Sequence, residues 1–174
     1  MSFAITRAAS AALVLFLSGA SLTTAANAAS EHQISPPAGA TAVREVQGGG
    51  AQVYACRAAS GSYKWTLVGP NAILVNDDGT RFGFHGNGPH WTADDGSTVR
   101  ADGAHPLATV KHADAVADLL LKVVSESGSG ALTGVRFVRR SDSQGGLPPA
   151  NGCDAGHVGA TAAEHYSAIY TFYR

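Results

Sequence analysis

The residues best suited to chemistry lie close together in one short segment. His85, His90 and Trp91 are followed by Asp95 and Ser97, with glycines between them. Neutral imidazole is a common ligand of zinc and copper, and loops carried by a rigid sheet are where binding sites are usually built. We therefore predict a ligand-binding locus over this segment.

The same segment suggests a metal site. The groups that could take part are imidazoles and carboxylates of this segment and of the chain after it: His85, His90, Asp94, Asp95, His105 and His112. The spacing of the first two histidines is not a defined metal motif, unlike His-Glu-x-x-His on a helix. The alternative is a purely structural role, in which Trp91 is a core residue and Asp95-Gly96-Ser97 forms a turn. The sequence leaves the metal, any other cofactor and any catalytic residue unknown.

Other catalytic and anion-binding patterns give weaker signals. The chain has no Gly-x-Ser-x-Gly motif, and no helix is expected after Gly48-Gly49-Gly50, so this run does not predict a phosphate loop. Arg136, Arg139 and Arg140 form a small basic cluster. Because Arg136 and Arg139 would face opposite ways on a strand, the cluster favours a solvated edge over an anion site.

Short strands separated by turns must position these residues. Tyr63, Trp65 and Leu67 alternate with polar residues, and so do the apolar residues of the last segment, Tyr166 to Phe172. Asp77-Asp78-Gly79 is typical of a hairpin turn. The pattern predicts an all-β fold, an antiparallel sandwich or flattened barrel with at most one short helix.

Two regions are less regular. Residues 111–124 fit a helical stripe or a strand, and we predict a short helical turn near Asp114–Asp118 followed by a strand hairpin. Residues 141–159 contain Gly145-Gly146 and Pro148-Pro149 and predict a long loop.

The N-terminus has the layout of an export signal. Arg7 precedes an apolar stretch over residues 8–20, and Ala26-Asn27-Ala28 ends the segment, as in a secretory signal peptide. The apolar stretch is shorter than the roughly 20 residues that a membrane-spanning helix needs. We predict a signal peptide over 1–28, a flexible arm over 29–50 with one edge strand near 43–46, and a single β-rich domain over 51–174.

The charge and the cysteine count also agree with an exported protein. Without Arg7, 11 basic and 13 acidic residues leave a net charge of −2, which gives no electrostatic reason to expect nucleic acid as a partner. Cys56 and Cys153 are the two cysteines of the chain, and an even count in an exported protein predicts one disulfide, here pinning the long loop. We expect an exported, periplasmic or secreted protein with no stable membrane insertion after signal cleavage.

Several motifs resemble one family. The string His85…Gly88-Pro89-x-Trp91…Asp95-Gly96-Ser97 resembles the central signature of the domain-of-unknown-function family 3455. Further similar motifs occur in the family's order: Leu119-Leu120-Leu121-Lys122, Ser127-Gly128-x-Gly130, Gly145-Gly146-x-Pro148-Pro149, Gly152-Cys153-Asp154 and Tyr166-x-Ala168-x-Tyr170-x-Phe172-Tyr173. The resemblance covers about residues 50–174. It implies exported bacterial or fungal relatives with no established activity and a locus around His85 and Trp91.

This chain also departs from the family pattern. His90 stands where the family usually has threonine or a similar residue, and Ala117-Asp118 where it often has Pro-Trp. A metal site that used His90 would therefore not be a property of the whole family.

Three functions follow from these observations. The first is a soluble cell-envelope or extracellular binding module for a small molecule, glycan or protein, using loops around residues 85–97 and 141–157. The second is a hydrolase or lyase that uses His85 and Asp95, with or without a metal. The third is a structural or stress-related envelope protein. Whether the chain is an enzyme is left open by the sequence.

Overall fold

The computed structural model describes residues 34–174. The predicted signal peptide over 1–28 and the first residues of the predicted arm lie outside the described residues.

Nine strands make up almost all of the regular structure. They are β1 (Ala42–Ala59), β2 (Ser62–Val75), β3 (Arg81–Gly86), β4 (His90–Ala93), β5 (Thr98–Ala101), β6 (Ala108–Val110), β7 (Asp118–Ser127), β8 (Phe137–Gly145) and β9 (Thr161–Tyr173). A three-residue 3-10 helix, Ala155–His157, lies between β8 and β9. The all-β prediction with at most one short helix is confirmed. Among residues 34–174, no helix is long and apolar enough to span a bilayer.

All strand pairs are antiparallel, and the sheet closes into a ring. The strand order is β5-β4-β3-β2-β1-β9-β8-β7-β6, and β5 also pairs with β7. β5 pairs with residues 123–127 of β7 and β6 with residues 118–120. The two short strands therefore lie one after the other along the same edge of β7. Closing the sheet in this way leaves few unpaired strand edges.

The first strand begins earlier than the sequence suggested. Residues 42–50, predicted as part of an arm with an edge strand, form the first half of β1, which pairs with β2 on one side and β9 on the other. The predicted flexible arm is therefore wrong for residues 42–50. Gly48-Gly49-Gly50, assigned to the arm, lies inside a central strand, where a missing side chain makes room for a neighbour.

Other boundaries also differ from the prediction. Gly69-Pro70, a typical strand-breaking pair, lies inside the continuous strand β2 and pairs with Val53 and Gln52; the neighbouring Val68 is the extra residue of a bulge. Residues 113–115 form a bend and Asp118 begins β7, so the predicted helical turn near Asp114–Asp118 is absent, whereas the predicted strand and hairpin after it are confirmed. The loop predicted from Ser141 begins after Gly145, because β8 continues past a bulge to pair Gly145 with Tyr166.

The disulfide prediction is confirmed. Cys56 of β1 and Cys153 are bonded, with their Cα atoms 5.3 Å apart. Backbone hydrogen bonds join the same loop to the same strand, from Gly159 N to the Cys56 carbonyl and from Cys56 N to the Ala160 carbonyl, both 2.9 Å. The loop over residues 146–160 is thus held against β1 at two neighbouring points.

Apolar side chains fill one end of the ring. Leu132 and Val135, in the segment between β7 and β8, are fully buried among Val99 and Phe172. The ring centroids of Phe82 and Phe172 lie 6.1 Å apart in this packing. This end of the ring is the hydrophobic core and gives the opposite end a rigid support.

Candidate functional site

The end of the ring away from this core contains a cavity of about 670 Å³. Its walls come from eight of the nine strands and from the turns after β3 and β5. Cavities of roughly 300–1,000 Å³ with mostly apolar walls are typical of sites for small organic molecules. The cavity is therefore the candidate functional site.

Three aromatic residues line the inner wall of the cavity. His85 and Trp91 are directly opposite each other on β3 and β4, and their rings stack with centroids 4.5 Å apart and planes 2° from parallel. The edge of Tyr170, from β9, meets His85 at 5.0 Å and Trp91 at 5.8 Å. Stacking of this kind follows from the register, because opposite side chains on neighbouring strands lie about 5 Å apart.

Gly48 provides the space that the Tyr170 ring occupies. A Cβ atom at this position would lie 2.5 Å from Cε2 of Tyr170, and the Tyr170 side chain is fully buried. At neighbouring Gly49, which faces the other way, a Cβ atom would meet nothing within 4 Å. The glycine run therefore shapes the aromatic wall from the inside of β1.

His85 is a neutral imidazole in this environment. Burial is the main reason that the pKa of His85 is lowered to about 3. The positive charge of Arg140 also lowers this pKa, whereas the hydrogen bond to the His90 carbonyl raises it. The carbonyl of His90 can only accept, so Nδ1 of His85 carries the proton and donates to it at 3.0 Å. Nε2 is then left as a hydrogen-bond acceptor.

Two hydrogen-bond donors on the cavity wall lack a partner. Gln52 on β1 is 2% exposed and Trp91 is 1% exposed, and both line the cavity. Nε2 of Gln52 and Nε1 of Trp91 are buried without a hydrogen-bond partner among the described residues. Leaving a buried donor unsatisfied costs about 1–3 kcal/mol, so the wall contains two donors that no described residue stabilises.

Arg140 brings a positive charge to the same wall. It lies opposite Leu119 on β7, two residues after Val138, so it shares the inner face of β8 with the buried Val138. Burial raises the pKa of Tyr54, Tyr166 and Tyr170, and the charge of Arg140 opposes this rise in all three. The guanidinium therefore lies among the tyrosine hydroxyls and beside His85. Assigning the basic cluster to a solvated edge is wrong for Arg140, because β8 lies between β7 and β9.

The mouth of the cavity is apolar and open. Leu67, Val68 and Val124 line it and are 53%, 38% and 60% exposed. Large apolar side chains exposed together around a concave surface are typical of a binding site. The turn of Asn87–Pro89 and the chain after Ala101 complete the rim.

The structure brings together only part of the predicted locus. His85 and Trp91 line the cavity, whereas His90 lies on the other face of β4 from Trp91, with Nε2 3.4 Å from the Thr92 hydroxyl. Asp95 and Ser97 lie in the turn at the opposite end of β4 and do not line the cavity.

Asp95 and Ser97 serve the structure of that turn. Asp95 accepts hydrogen bonds from the Ser97 backbone and hydroxyl, at 2.9 and 2.6 Å, and from the Ala131 amide at 2.7 Å. The Ser97 hydroxyl accepts from the Leu132 amide at 3.1 Å. These bonds tie the turn to the segment that covers the core end of the ring.

The residues of the metal hypothesis are dispersed. Asp94 pairs with Arg81, His105 with Asp102 and His112 with Asp118, at 2.7, 2.9 and 3.0 Å. Within residues 34–174, no group of three or more His, Cys, Asp or Glu side chains is placed to hold a metal ion.

The sequence missed three residues of the cavity wall, Gln52, Arg140 and Tyr170. Gln52 and Arg140 are long polar side chains at inward-facing positions of their strands. Which residues of a strand face inward depends on how the strand pairs with its neighbours, and the sequence alone did not give that pairing. Tyr170 was placed on the apolar face of the last segment, where core packing was favoured over a ligand-binding face, and it was not included among the predicted site residues.

A family model described as "Protein of unknown function (DUF3455)" matches residues 37–174. No curated protein and no solved structure matches the chain.

Proposed function

Because the chain belongs to the DUF3455 family, whose description names no activity, we propose a function from the cavity itself. The protein is an exported binding module that holds a small, largely apolar molecule inside the ring of strands. The observation that carries this proposal is the cavity of about 670 Å³, which combines an aromatic wall with an exposed apolar mouth.

The walls are suited to binding an apolar body. Leu119, Leu121, Val138 and the aromatic trio present mainly carbon atoms to the cavity, and each buried CH₂ group of a ligand gains about 0.8 kcal/mol. The wall is formed before the ligand arrives, because the rings pack on one another and on the core. Such pre-organisation lowers the entropic cost of binding.

Binding is favoured over catalysis by His85 and Asp95. Asp95 lies at the far end of β4 and already accepts three hydrogen bonds. Among the described ion pairs none includes His85. With its pKa lowered to about 3 by burial, His85 is a weak base at neutral pH.

Export is supported by two features. The N-terminal segment has the charge, apolar stretch and small-residue site of a signal peptide. The disulfide is of the kind that persists in oxidising compartments such as the periplasm or the extracellular space.

The binding proposal can be tested with N-phenyl-1-naphthylamine, an uncharged apolar dye whose fluorescence rises in an apolar cavity. We expect saturable binding of one dye per chain. Replacing exposed Ala104 on the rim (Ala104→Trp) puts a large side chain at the mouth without touching the core, and we expect it to weaken the affinity at least tenfold.

The matched control is Ala58→Trp, an equally exposed alanine near the β1–β2 turn that does not line the cavity. We expect this variant to bind the dye as the wild type does. Equal affinity in all three proteins, or no saturable binding by the folded wild type, would refute the cavity as the binding site.

A further inference from the structure

Arg140 lines the inner wall of the cavity and has no carboxylate partner among the described residues. None of the ion pairs among residues 34–174 includes it, so no carboxylate oxygen lies within 4.0 Å of its guanidinium. Its neighbour Arg139 lies near Glu45, with the closest atoms 3.8 Å apart. Charged groups on inner walls are normally paired, so the unpaired one is the exception that needs an explanation.

The hydrogen bonds of Arg140 leave part of its guanidinium available. Nε and Nη2 donate to the Ala117 carbonyl, the first at 3.0 Å. A guanidinium has five N–H groups; two donate to the Ala117 carbonyl and a further one interacts with the Tyr170 hydroxyl, so two remain. The bonds to Ala117 fix the orientation of the planar group, which reduces the entropy lost when a ligand binds to it.

The neighbouring unsatisfied atoms are also donors. Nε2 of Gln52 and Nε1 of Trp91 carry N–H groups with no partner in the described residues. The acceptors on the same wall are Nε2 of His85 and the side-chain carbonyl of Gln52, neither of which carries a charge. A group that only accepts hydrogen bonds and carries a negative charge complements this set best, and an ionised carboxylate is such a group.

The charge around the cavity agrees with this. Its charged lining residues are Arg140 on the wall and Arg100 and Asp102 at the rim. Asp102 forms a hydrogen bond with His105 at 2.9 Å, and Arg100 donates to the Gly88 carbonyl; two arginines against one aspartate give the lining a net charge of +1. The remaining charge at the cavity is therefore positive.

We infer that the ligand of the cavity carries one carboxylate, which Arg140 binds while the apolar body lies against the aromatic wall. This inference rests on the proposed function, because it names the chemical class of the molecule that the cavity holds. Arg140 is then the residue that determines specificity for the head group, and Gln52 assists it. The ligand class is a small apolar carboxylic acid.

Three probes with one chain and different head groups test this: decanoate, decan-1-ol and decyltrimethylammonium. Binding is measured by calorimetry with the wild-type protein at pH 8, where decanoate is ionised, and below the concentration at which the probes self-associate. A charged hydrogen bond strengthens binding about tenfold or more. We expect decanoate to bind at least about tenfold more tightly than decanol, and the cation most weakly.

The outcomes separate the two proposals. Decanol binding as tightly as decanoate would overturn the carboxylate inference and leave the apolar cavity as a binding site. Failure of all three probes to bind the folded protein would overturn both. Either result is obtained on the wild type and so does not depend on a variant that folds.

Two substitutions locate the head group. In Arg140→Gln we expect decanoate affinity to fall about tenfold, to the level of decanol, with decanol affinity unchanged. Arg140→Lys keeps the charge and should restore part of the preference. The matched control is Arg139→Gln, one residue away on the outer face of β8, which should bind all three probes like the wild type. Unchanged decanoate affinity in folded Arg140→Gln would contradict the assignment.

Discussion

Gly48 and Gly49 are neighbours in β1, but only Gly48 faces the inside of the ring. A Cβ atom on Gly48 would lie 2.5 Å from the buried ring of Tyr170, which is itself packed against His85 and Trp91. We expect Gly48→Ala to lower the free energy of unfolding by about 1–3 kcal/mol, because the ring has no room to move. Urea denaturation measures the change.

The control is built into the same strand. Gly49→Ala adds the same atoms where nothing lies within 4 Å, so we expect a change within about 0.5 kcal/mol. Equal destabilisation by the two substitutions would show that the strand requires glycine for its backbone and not for Tyr170. The dye affinity of Gly48→Ala should fall as well, since Tyr170 is part of the cavity wall.

At the residue scale the sequence predicted part of the site. His85 and Trp91 were identified because imidazole and indole groups are scarce and fell close together, and the structure stacks them. Asp95 and Ser97 were included because they are close in sequence. A four-residue strand of about 3.3 Å per residue separates their turn from the cavity end of β4, and nearness in sequence cannot reveal that separation.

Arg140 shows a different limit of sequence reasoning. Whether a strand residue faces inward depends on the phase of the strand, and a shift of one residue exchanges the two faces. Arg139 and Arg140 look alike in the sequence, yet Arg139 pairs outside with Glu45 and Arg140 lines the cavity. Only the pairing of β8 with β7 and β9 decides between them.

At the scale of elements, the loop of residues 146–160 is held separately from the cavity. Its anchors include the disulfide to Cys56, the bonds at Gly159 and Ala160, and two side-chain hydrogen bonds: Trp65 Nε1 to the Asn151 carbonyl at 2.8 Å and the Tyr54 hydroxyl to the Gly146 carbonyl at 2.7 Å. No residue of this loop lines the cavity. The expectation that this loop and the segment 85–97 would form one binding face therefore finds no support in the cavity.

Removing the disulfide tests whether the loop of residues 146–160 can be released without changing the cavity. We expect Cys56→Ser/Cys153→Ser to lower the free energy of unfolding by roughly 2–5 kcal/mol and to make the loop sensitive to proteinase K. The dye affinity of the folded fraction should stay within about twofold of the wild type, because the strands around the cavity keep their pairing.

Trp65→Phe serves as the matched control, since it removes the bond to Asn151 and keeps the disulfide. We expect its loop to remain largely resistant to the protease. A loss of dye affinity that follows cleavage of the loop in the double variant would contradict the separation of loop and cavity.

The strands themselves were easier to predict than their lengths. Alternation identified the segments 63–67 and 166–172, and both lie wholly within observed strands, β2 and β9. Glycine and proline misled the boundaries, because Gly48-Gly49-Gly50 and Gly69-Pro70 are strand interior here. In β1 the glycines make room for neighbouring atoms, and in β2 Gly69 lies next to a bulge. Each interrupts the alternation of side chains in the sequence, but the strand itself continues.

For the whole molecule, closure of the sheet creates the cavity. β5 must meet β7, and β1 must lie between β2 and β9, although β1 and β9 are separated by most of the domain. Such pairings between distant segments leave no local pattern in the sequence, so the all-β class could be predicted and the ring could not. The same topology explains why the cavity residues come from strands spread across the chain.

The disulfide and the N-terminal segment make a joint prediction about the whole chain. In a bacterial host with two membranes, we expect the full chain to reach the periplasm in a form shortened by residues 1–28, with Cys56 and Cys153 oxidised. A chain that starts with methionine in place of residues 1–28 should stay in the cytoplasm with both thiols free, because that compartment keeps thiols reduced. Fractionation, mass spectrometry and thiol labelling under denaturing conditions measure these three outcomes.

The cytoplasmic form should also show the protease-sensitive loop of the double serine variant, since it lacks the same bond. If the full chain remained uncleaved in the cytoplasm with free thiols, export would be ruled out in that host, and the bond between β1 and the loop would have to form by another route.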